Sequence, residues 1–309
     1  MTENPNYHNG SAEAGYRIGQ NIALASVAIS AALAALKIGA GFALGSTALL
    51  ADGFESASDI FASLIVLGGM ILARRPADSK HAYGYGRAES LAGQTVATIL
   101  LMFAVYIGAK SVVTLFSDKA APPVTALLPL GVSFAAKGAL SVYKRRVGLR
   151  LNSSALLADA ANDAMDMLSA IVAAAAIGLA VWQPDRLAWA DPVGGIGIAG
   201  IIFWIGLKVF RQTSSELLDA MPDEHVTDIV RQAAGRVEGV RAVEKVLGRK
   251  SGMQYFFDLH IEVDPQMTVQ DGHHLGHLVE ERIIAECQNV KSVLVHVEPF
   301  GQVRRHPAG

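Results

Sequence analysis

Charged residues are scarce in this chain. Asp, Glu, Lys and Arg make up 17% of its 309 residues, whereas a typical soluble domain carries about a quarter. Hydrophobic residues make up 51%, and the mean hydropathy is +0.34. This composition argues against an ordinary soluble domain and favours a protein that lies largely within a membrane.

Three further absences narrow the function. The single cysteine, Cys287, cannot form an internal disulfide, which suits a reducing cytosolic environment, and we expect it to be buried and inert. A net charge of −2 without a basic block argues against a nucleic-acid partner. The first residues are polar, so we expect no cleavable signal peptide.

Six apolar segments are long enough to cross a bilayer, which takes about 17–25 helical residues. They cover residues 18–44, 48–73, 90–116, 124–142, 153–182 and 193–210. Beyond Arg211 the chain becomes too polar to span a membrane. We therefore predict a polar cytosolic N-terminus (1–17), a transmembrane domain of six helices (18–213), a cytosolic domain (214–301) and a tail (302–309).

Positive charge is concentrated after the second, fourth and sixth segments. The opposite connections hold only Lys119 and Arg186, so the positive-inside rule places both termini in the cytoplasm. The clustered residues are Arg74, Arg75, Lys80, Arg87, Lys144, Arg145, Arg146, Arg150, Lys208 and Arg211. Lys37 and Lys137 lie within segments, and we expect their side chains to snorkel toward the interface rather than face the helix bundle.

The remainder of the chain reads as a small α+β domain. Helical periodicity at 223–236 and 269–287 and alternation at 240–247, 255–263 and 290–297 predict helix, two strands, helix and strand. This order corresponds to an open-faced αββαβ sandwich of the ferredoxin or metallochaperone type.

One sequence motif occurs twice, in the second and the fifth apolar segments. Residues 46–52 read Ser-Thr-Ala-Leu-Leu-Ala-Asp and residues 153–159 read Ser-Ser-Ala-Leu-Leu-Ala-Asp; Glu55 and Asp59 continue the first copy, and Asn162 and Asp166 the second. These spacings place the polar residues on one helix face. An isolated carboxylate in a bilayer costs about 2.5–3.5 kcal/mol unless it lines a cavity, pairs or binds a cation. The two copies therefore predict one shared divalent-cation site, made by Glu55, Asp59, Asn162 and Asp166.

Three more aspartates lie close to this site in the sequence. Asp52 and Asp159 are one turn away. They either surround the metal ligands or carry protons to and from the site, or they cap the N-termini of helices. Asp163 follows Asn162, and the sequence leaves open which of these two faces the site. Because clustered carboxylates repel one another, at least one should hold a proton that an entering metal expels. The pattern predicts exchange of a metal ion for protons.

The loop after the second segment carries a specific signature. It reads Arg-Pro-Ala-Asp at 75–78 and His-Ala-Tyr-Gly-Tyr-Gly-Arg-Ala-Glu-Ser at 81–90. Together with six spans, paired acidic motifs and an αββαβ tail, it makes nearly the whole chain resemble the cation diffusion facilitator family. The resemblance implies a homodimeric, proton-coupled exporter of divalent metals rather than an enzyme, without an organic cofactor, in a bacterial inner membrane or one derived from it.

The chain departs from the family pattern at its transport site. Glu55 and Asn162 stand where the family commonly has His or Asp. Loss of imidazole removes a donor that favours zinc, so an all-oxygen site leans toward Mn²⁺ or Fe²⁺, with Zn²⁺, Co²⁺ and Ni²⁺ still open.

The resemblance also implies accessory sites. In the loop, Asp78 and His81 match a family zinc site, but Tyr85 replaces its second His, so we expect this site to be empty or weak. Arg87 and Asp219 match a charge pair that joins the membrane and cytosolic parts. In the cytosolic domain the matching positions for a regulatory metal between two subunits are Glu244, His260, His273, His296 and Glu298; unliganded surface histidines are the alternative.

Three other functions compete with transport. An intramembrane aspartyl hydrolase predicts a Gly-x-Gly-Asp turn, which accompanies neither Asp59 nor Asp166. A non-transporting metal sensor or assembly partner would keep the same fold without flux. A passive channel would lack proton coupling and saturable kinetics.

Overall fold

The computed structural model describes residues 6–44, 47–116, 127–182, 190–287 and 289–301. The chain forms two compact units, residues 15–214 and residues 215–309 together with 1–14. The first unit is helical, and its helices are α1 (Asn6–Leu44), α2 (Thr47–Ala73), α3 (Arg87–Leu115), α4 (Leu127–Leu151), α5 (Ser154–Trp182) and α6 (Ala190–Leu217). The second contains α7 (Glu224–Gly235), β1 (Ala242–Ser251), β2 (Gln254–Val263), α8 (Val269–Glu286) and β3 (Val290–Pro299).

Each of the six long helices contains or overlaps one predicted apolar segment, and several extend well beyond it. Helix α1 begins at Asn6 rather than at residue 18. Helix α4 continues to Leu151, so Lys144, which we had assigned to a cytoplasmic loop, lies on the helix and is fully buried. Among the described residues, two stretches are long and apolar enough to cross a membrane by length and composition, Ala14–Gly39 and Arg87–Val113. Helices α4 and α5 carry charged residues within their apolar sequences.

A tight turn between α4 and α5 positions the second acidic motif. Asn152 adopts a positive φ of 56°, and the Ser153 N–H donates to the Gly148 carbonyl at 2.8 Å. The Ser153 hydroxyl then accepts a hydrogen bond from the Leu156 N–H at 3.2 Å, which caps the first turn of α5. Gly93 lets α3 approach this turn, because a Cβ there would lie 3.1 Å from the Ser154 carbonyl oxygen. The start of α5 is thus fixed against both α3 and α4.

The cytosolic unit is the predicted αββαβ sandwich. Its three-stranded sheet has the order β1-β2-β3, with β1 and β2 antiparallel and β2 and β3 parallel. Alternate residues of β2, such as Leu259 and Ile261, pack with the apolar sides of α7 and α8 into one core. Cys287 is buried as expected, and this burial raises the pKa of its thiol.

Candidate metal centres

Residues from both copies of the repeated motif meet inside the helical unit. Asp59 on α2 accepts a hydrogen bond from the Asn162 side-chain amide on α5 at 3.4 Å. Asp59 and Asp166 both form ion pairs with the ammonium group of Lys137, with N–O distances of 3.0 and 2.9 Å. Three of the four residues in the predicted transport site therefore converge. The fourth, Glu55, lies on α2, but its side chain is outside the described part of the chain, as is that of Asp52.

A cavity of about 200 Å³ adjoins this cluster. Asp59 and Asn162 supply its polar wall, and the remaining lining is apolar. A water molecule takes up about 30 Å³ of liquid volume, so the cavity accommodates a cation with several waters. Its other lining residues are Phe61, Ala62, Ile99, Phe103 and Met165.

Two buried lysines correct the expectation of snorkelling. Lys137 is 1% exposed and contacts Asp59, Asp163 and Asp166. Lys37 is 3% exposed and donates to the Ser56 hydroxyl at 2.8 Å. The snorkelling prediction was wrong because polar groups inside the bundle receive each inward-facing ammonium: three carboxylates for Lys137 and the Ser56 hydroxyl for Lys37.

A second buried lysine extends the cluster along the same face of α4. Lys144 lies two turns after Lys137 and contacts Asp159 at 2.7 Å and Asp163 at 2.5 Å. Asp163 uses its other carboxylate oxygen for Lys137, at 3.1 Å. Asp159 also accepts a hydrogen bond from the Ser63 hydroxyl at 3.1 Å, so its side chain binds neighbouring helices and does not cap its own.

This arrangement answers the question that the sequence left open. Asn162 and Asp163 both face the interior, Asn162 toward Asp59 on α2 and Asp163 toward the two lysines on α4. The sequence contained a usable signal, since two lysines seven residues apart within an apolar helix lie on one helix face. Each lysine forms an ion pair with an aspartate of the repeated motif, Lys137 with Asp59 and Asp166 and Lys144 with Asp159.

The described charges in this cluster have a simple balance. Four carboxylates face two ammonium groups, so with every group in its ordinary charged form the formal charge is −2. One divalent cation neutralises that charge. The carboxylates are Asp59, Asp159, Asp163 and Asp166, and the ammonium groups are Lys137 and Lys144.

Asp78 organises the loop after α2. Its carboxylate accepts hydrogen bonds from the Tyr85 hydroxyl at 2.7 Å and from the backbone N–H groups of Lys80 and His81 at 2.9 and 2.7 Å. The hydrogen bond from Tyr85 is the largest of the effects that lower the pKa of Asp78 to about 2. The loop itself thus engages both carboxylate oxygens, and the expectation of an empty or weak metal site stays a prediction.

A second cluster of ligand-type residues lies on the sheet of the cytosolic unit, on the face opposite its core. His260 on β2 pairs in register with His296 on β3. Glu298 lies 2.7 Å from His260 Nδ1 and 3.2 Å from His296 Nε2. Potential ligand atoms of these three residues all lie within 4.8 Å of one another. Two imidazoles and a carboxylate at this separation fit a first-row divalent metal ion.

The remaining predicted residues of this cluster behave differently from one another. Burial favours a higher pKa for Glu298, but hydrogen bonds with His260 and Glu244 and the histidine charges lower it overall. Glu244 reaches Glu298 from an irregularity in the pairing of β1. In the described chain His273 is not part of the three-residue group; its ring contacts that of His277, with centroids 4.6 Å apart.

Arg87 and Asp219, the predicted charge pair, occupy helix ends. Arg87 begins α3. Asp219 follows α6 with a positive φ of 58°, at a helix end where the Ala220 N–H donates to the Ser215 carbonyl at 3.0 Å. This left-handed residue terminates the helix, and the pairing with Arg87 stays a prediction.

A helical domain with a buried cation-binding cluster, followed by an αββαβ domain with a His and carboxylate cluster, defines a class of membrane metal transporter. Sequence comparison reaches the same class. The family profile described as the cation efflux transmembrane domain matches residues 23–218, and the profile of the cation efflux protein cytoplasmic domain matches residues 222–300. The chain belongs to the cation diffusion facilitator family of metal efflux transporters.

Relatives match almost end to end. The manganese efflux system protein MneP of Bacillus subtilis is 26% identical over 92% of this chain and 97% of its own length. The uncharacterized transporter YdbO of the same organism is 33% identical over 91% of this chain and 96% of its own length. A solved structure, MamM-CTD 215-293, is 32% identical over 25% of this chain and 96% of its own length, with a TM-score of 0.24.

Proposed function

We propose that this protein is a transporter that exports a divalent transition metal from the cytoplasm in exchange for protons. It acts as a homodimer with six membrane spans and both termini in the cytoplasm, in a bacterial inner membrane or a membrane derived from it. The observation that carries the proposal is the convergence of Asp59, Asn162 and Asp166 from α2 and α5 beside a cavity.

The charge of the cluster supports coupling to protons. With both lysines charged, the described carboxylates leave a formal excess of two negative charges, and an ionised Glu55 would add a third. A divalent cation offsets two of these charges. When the metal leaves, that excess would remain inside an apolar bundle, where unpaired charge is costly. Protons arriving from the opposite side restore neutrality, so metal and proton occupancy exclude one another.

The ligand chemistry favours Mn²⁺ or Fe²⁺ as the transported ion. Asp59 and Asp166 offer carboxylate oxygens and Asn162 an amide oxygen, donors that suit hard ions better than soft ones. The similarity to the manganese efflux protein MneP over 92% of the chain is consistent with this choice. Zn²⁺, Co²⁺ and Ni²⁺ remain alternative cargoes.

The cytosolic cluster is the proposed regulatory site. His260, His296 and Glu298 would together coordinate one divalent metal ion. Glu244 contacts Glu298 and would help orient it. We propose that occupancy of this site tightens the dimer and favours the transporting state.

One observation favours a second candidate function. Lys137 already pairs with both quartet aspartates that the structure describes, as a purely structural cation would. A protein with such a fixed ion pair would not transport and would instead act as a metal sensor or an assembly partner. Flux measurements separate the two functions.

The decisive experiment is metal flux into proteoliposomes with an internal pH dye, scanning Mn²⁺, Fe²⁺, Co²⁺, Ni²⁺ and Zn²⁺. We expect saturable metal movement with opposite proton movement, and a fall to the protein-free background in Asp59→Ala, because Asp59 contacts both Asn162 and the shared lysine. Flux through a folded Asp59→Ala protein equal to wild type would refute the proposed site. No flux of any metal through the folded wild-type dimer would leave the sensor or assembly function.

A further inference from the structure

The buried ammonium of Lys137 lies where a transported cation must bind. Its Nζ is 3.0 Å from Asp59, 2.9 Å from Asp166 and 3.1 Å from Asp163. The ammonium donates hydrogen bonds to Asp59 and Asp163 and lies at ion-pair distance from Asp166, so one side chain from α4 engages three carboxylates from α2 and α5. The side chain is 1% exposed, and water therefore offers little alternative hydration to those carboxylates.

This contact exceeds what helix packing requires. Lys144, on the same helix face, joins α4 to α5 through Asp159 and Asp163, and among the quartet side chains that the structure describes it contacts none. Lys137 differs because two of its three partners are the aspartates that also form the proposed transport site. A metal ion bound to Asp59 and Asp166 at the usual distance of about 2.0–2.2 Å takes the same oxygens and repels the ammonium.

Asp163 offers Lys137 a place to remain. It contacts Lys137 with one carboxylate oxygen and Lys144 with the other. When metal binds the quartet, Lys137 can give up Asp59 and Asp166 and keep its bond to Asp163, since the flexible lysine stem allows a change of rotamer. The ammonium therefore never becomes an unpaired buried charge, a state that would be costly.

We propose that Lys137 is a tethered competitor of the transported metal, which occupies the quartet aspartates between transport events and must be displaced by each arriving ion. This inference rests on the proposed function and deepens it. Competition lowers the apparent affinity for metal by the fraction of time that the aspartates are available. It also assists release, because the ammonium replaces the departing ion and closes the site behind it.

The test compares two charge-balanced double variants. Lys137→Gln with Asp163→Asn removes the ammonium that contacts the quartet. Lys144→Gln with Asp159→Asn makes the same chemical changes at the neighbouring ion pair. It leaves the contacts of Lys137 with Asp59 and Asp166 in place. Each variant loses one cation and one anion, so the formal charge of the cluster is unchanged and both proteins are expected to fold.

The measurement is Mn²⁺ binding to the full-length protein in detergent by isothermal titration calorimetry at fixed pH. If the ammonium occupies the aspartates about nine-tenths of the time, its removal should tighten Mn²⁺ binding about tenfold. The control double variant should bind Mn²⁺ within about twofold of wild type. The flux of the first double variant should fall, because release is no longer assisted.

Each outcome decides between the possibilities. Unchanged or weaker Mn²⁺ binding in the monodisperse Lys137→Gln/Asp163→Asn protein would show that Lys137 is structural. In that case, metal flux through the wild-type protein would still support the proposed function. Equal tightening in the control variant would assign the effect to general loss of charge and overturn the inference. Absence of Mn²⁺ binding and of flux in wild type would instead remove the proposed function itself.

Discussion

The chain holds two clusters suited to metals, and they are built differently. In the helical unit, carboxylates and an amide face buried lysines, and the side chains of Lys137 and Lys144 are 1% and 0% exposed. In the cytosolic unit, His260, His296 and Glu298 lie on a sheet surface, and the His296 side chain is 53% exposed. One cluster contains competing cations, whereas the ligands of the other interact with one another.

This difference corresponds to two uses of a metal ion. A site through which an ion passes has to release it, and a built-in cation that shares the same carboxylates favours release. A site that regulates assembly has to keep its ion, and imidazole ligands hold first-row metals firmly. The comparison therefore predicts that substitutions in the helical cluster alter stability and turnover, and that substitutions in the cytosolic cluster alter metal retention.

The largest expected effect on stability is the loss of a buried lysine. Lys144→Gln leaves Asp159 without its cation at 2.7 Å, and breaking a buried pair in this way costs about 3–5 kcal/mol. The second substitution, Asp159→Asn, should restore most of that loss, because the unpaired charge disappears with it. The measurement is the free energy of unfolding of the single and double variants in detergent.

A surface pair of the cytosolic unit provides the contrast. Arg282 contacts Glu286 one helical turn away, and its side chain is 50% exposed. Arg282→Gln should change the free energy of unfolding by less than about 1 kcal/mol, as for most surface ion pairs. If Lys144→Gln proved as mild as Arg282→Gln, the helical cluster would be hydrated, and the contrast between the two units would be lost.

Sequence reasoning identified every helix and strand in the right order, but some ends differ widely: α1 begins at Asn6 rather than at 18, and α4 ends at Leu151 rather than at 142. Apolar periodicity and the repeated acidic motif report burial on α2 and α5 directly, so the approach of Asp59 and Asn162 followed from spacing alone. The rotation of α4 about its axis was missed, because the charges near its end were assigned to a loop. Its inner face does carry a polar stripe, since the buried residues Ser133, Lys137, Ser141 and Lys144 follow one another at spacings of four, four and three residues.

The same limit applied in the cytosolic unit. Residues two apart in a strand share a face, so alternation along β3 places His296 and Glu298 on one side of the sheet. Which residues meet across strands depends on register, and the pairing of His260 with His296 is a property of the folded sheet. His273 was assigned to the regulatory site by resemblance, whereas its ring packs against His277 on α8.

Removing the cytosolic ligands should reduce metal binding without abolishing transport. His260→Ala together with His296→Ala takes two of three ligands from the cluster, and we expect its metal affinity to fall by more than about 100-fold, since loss of an outer-shell partner alone costs 10–100-fold. Flux should decrease by less than in Asp59→Ala, and the dimer should no longer tighten on adding metal. Isothermal titration in the Asp59→Ala background isolates this site.

The matched control is His273→Ala, which removes an imidazole whose contact is with His277. Its metal affinity should remain within about twofold of the parent protein. A loss in His273→Ala as large as that in the double variant would show that His273 joins the site in the assembled dimer. Dimer geometry and flux that ignore the double variant would exclude a regulatory role for the cluster.

The smallest expected effect is in the loop after α2, where pH acts on a single carboxylate. The pKa of Asp78 is lowered to about 2, chiefly by the hydrogen bond from Tyr85. Because this pKa lies below the ordinary value of an aspartate, about 3.9, the contribution of ionised Asp78 is present above about pH 4 and is lost as the pH falls toward 2. Tyr85→Phe should raise the pKa of Asp78 and start this loss at a higher pH.

Hydrogen exchange of the Lys80 and His81 amides reports the change directly, because both donate to Asp78. At about pH 3 these amides should exchange faster in Tyr85→Phe than in wild type, since more of Asp78 is then protonated; at pH 7 the carboxylate stays ionised in both proteins and the difference should shrink. Tyr83→Phe makes the same chemical change two residues away and should follow wild type at both pH values. If metal ions protected these amides at neutral pH in Tyr85→Phe as well as in wild type, Asp78 would be a metal ligand, and the loop would have to be grouped with the two metal clusters.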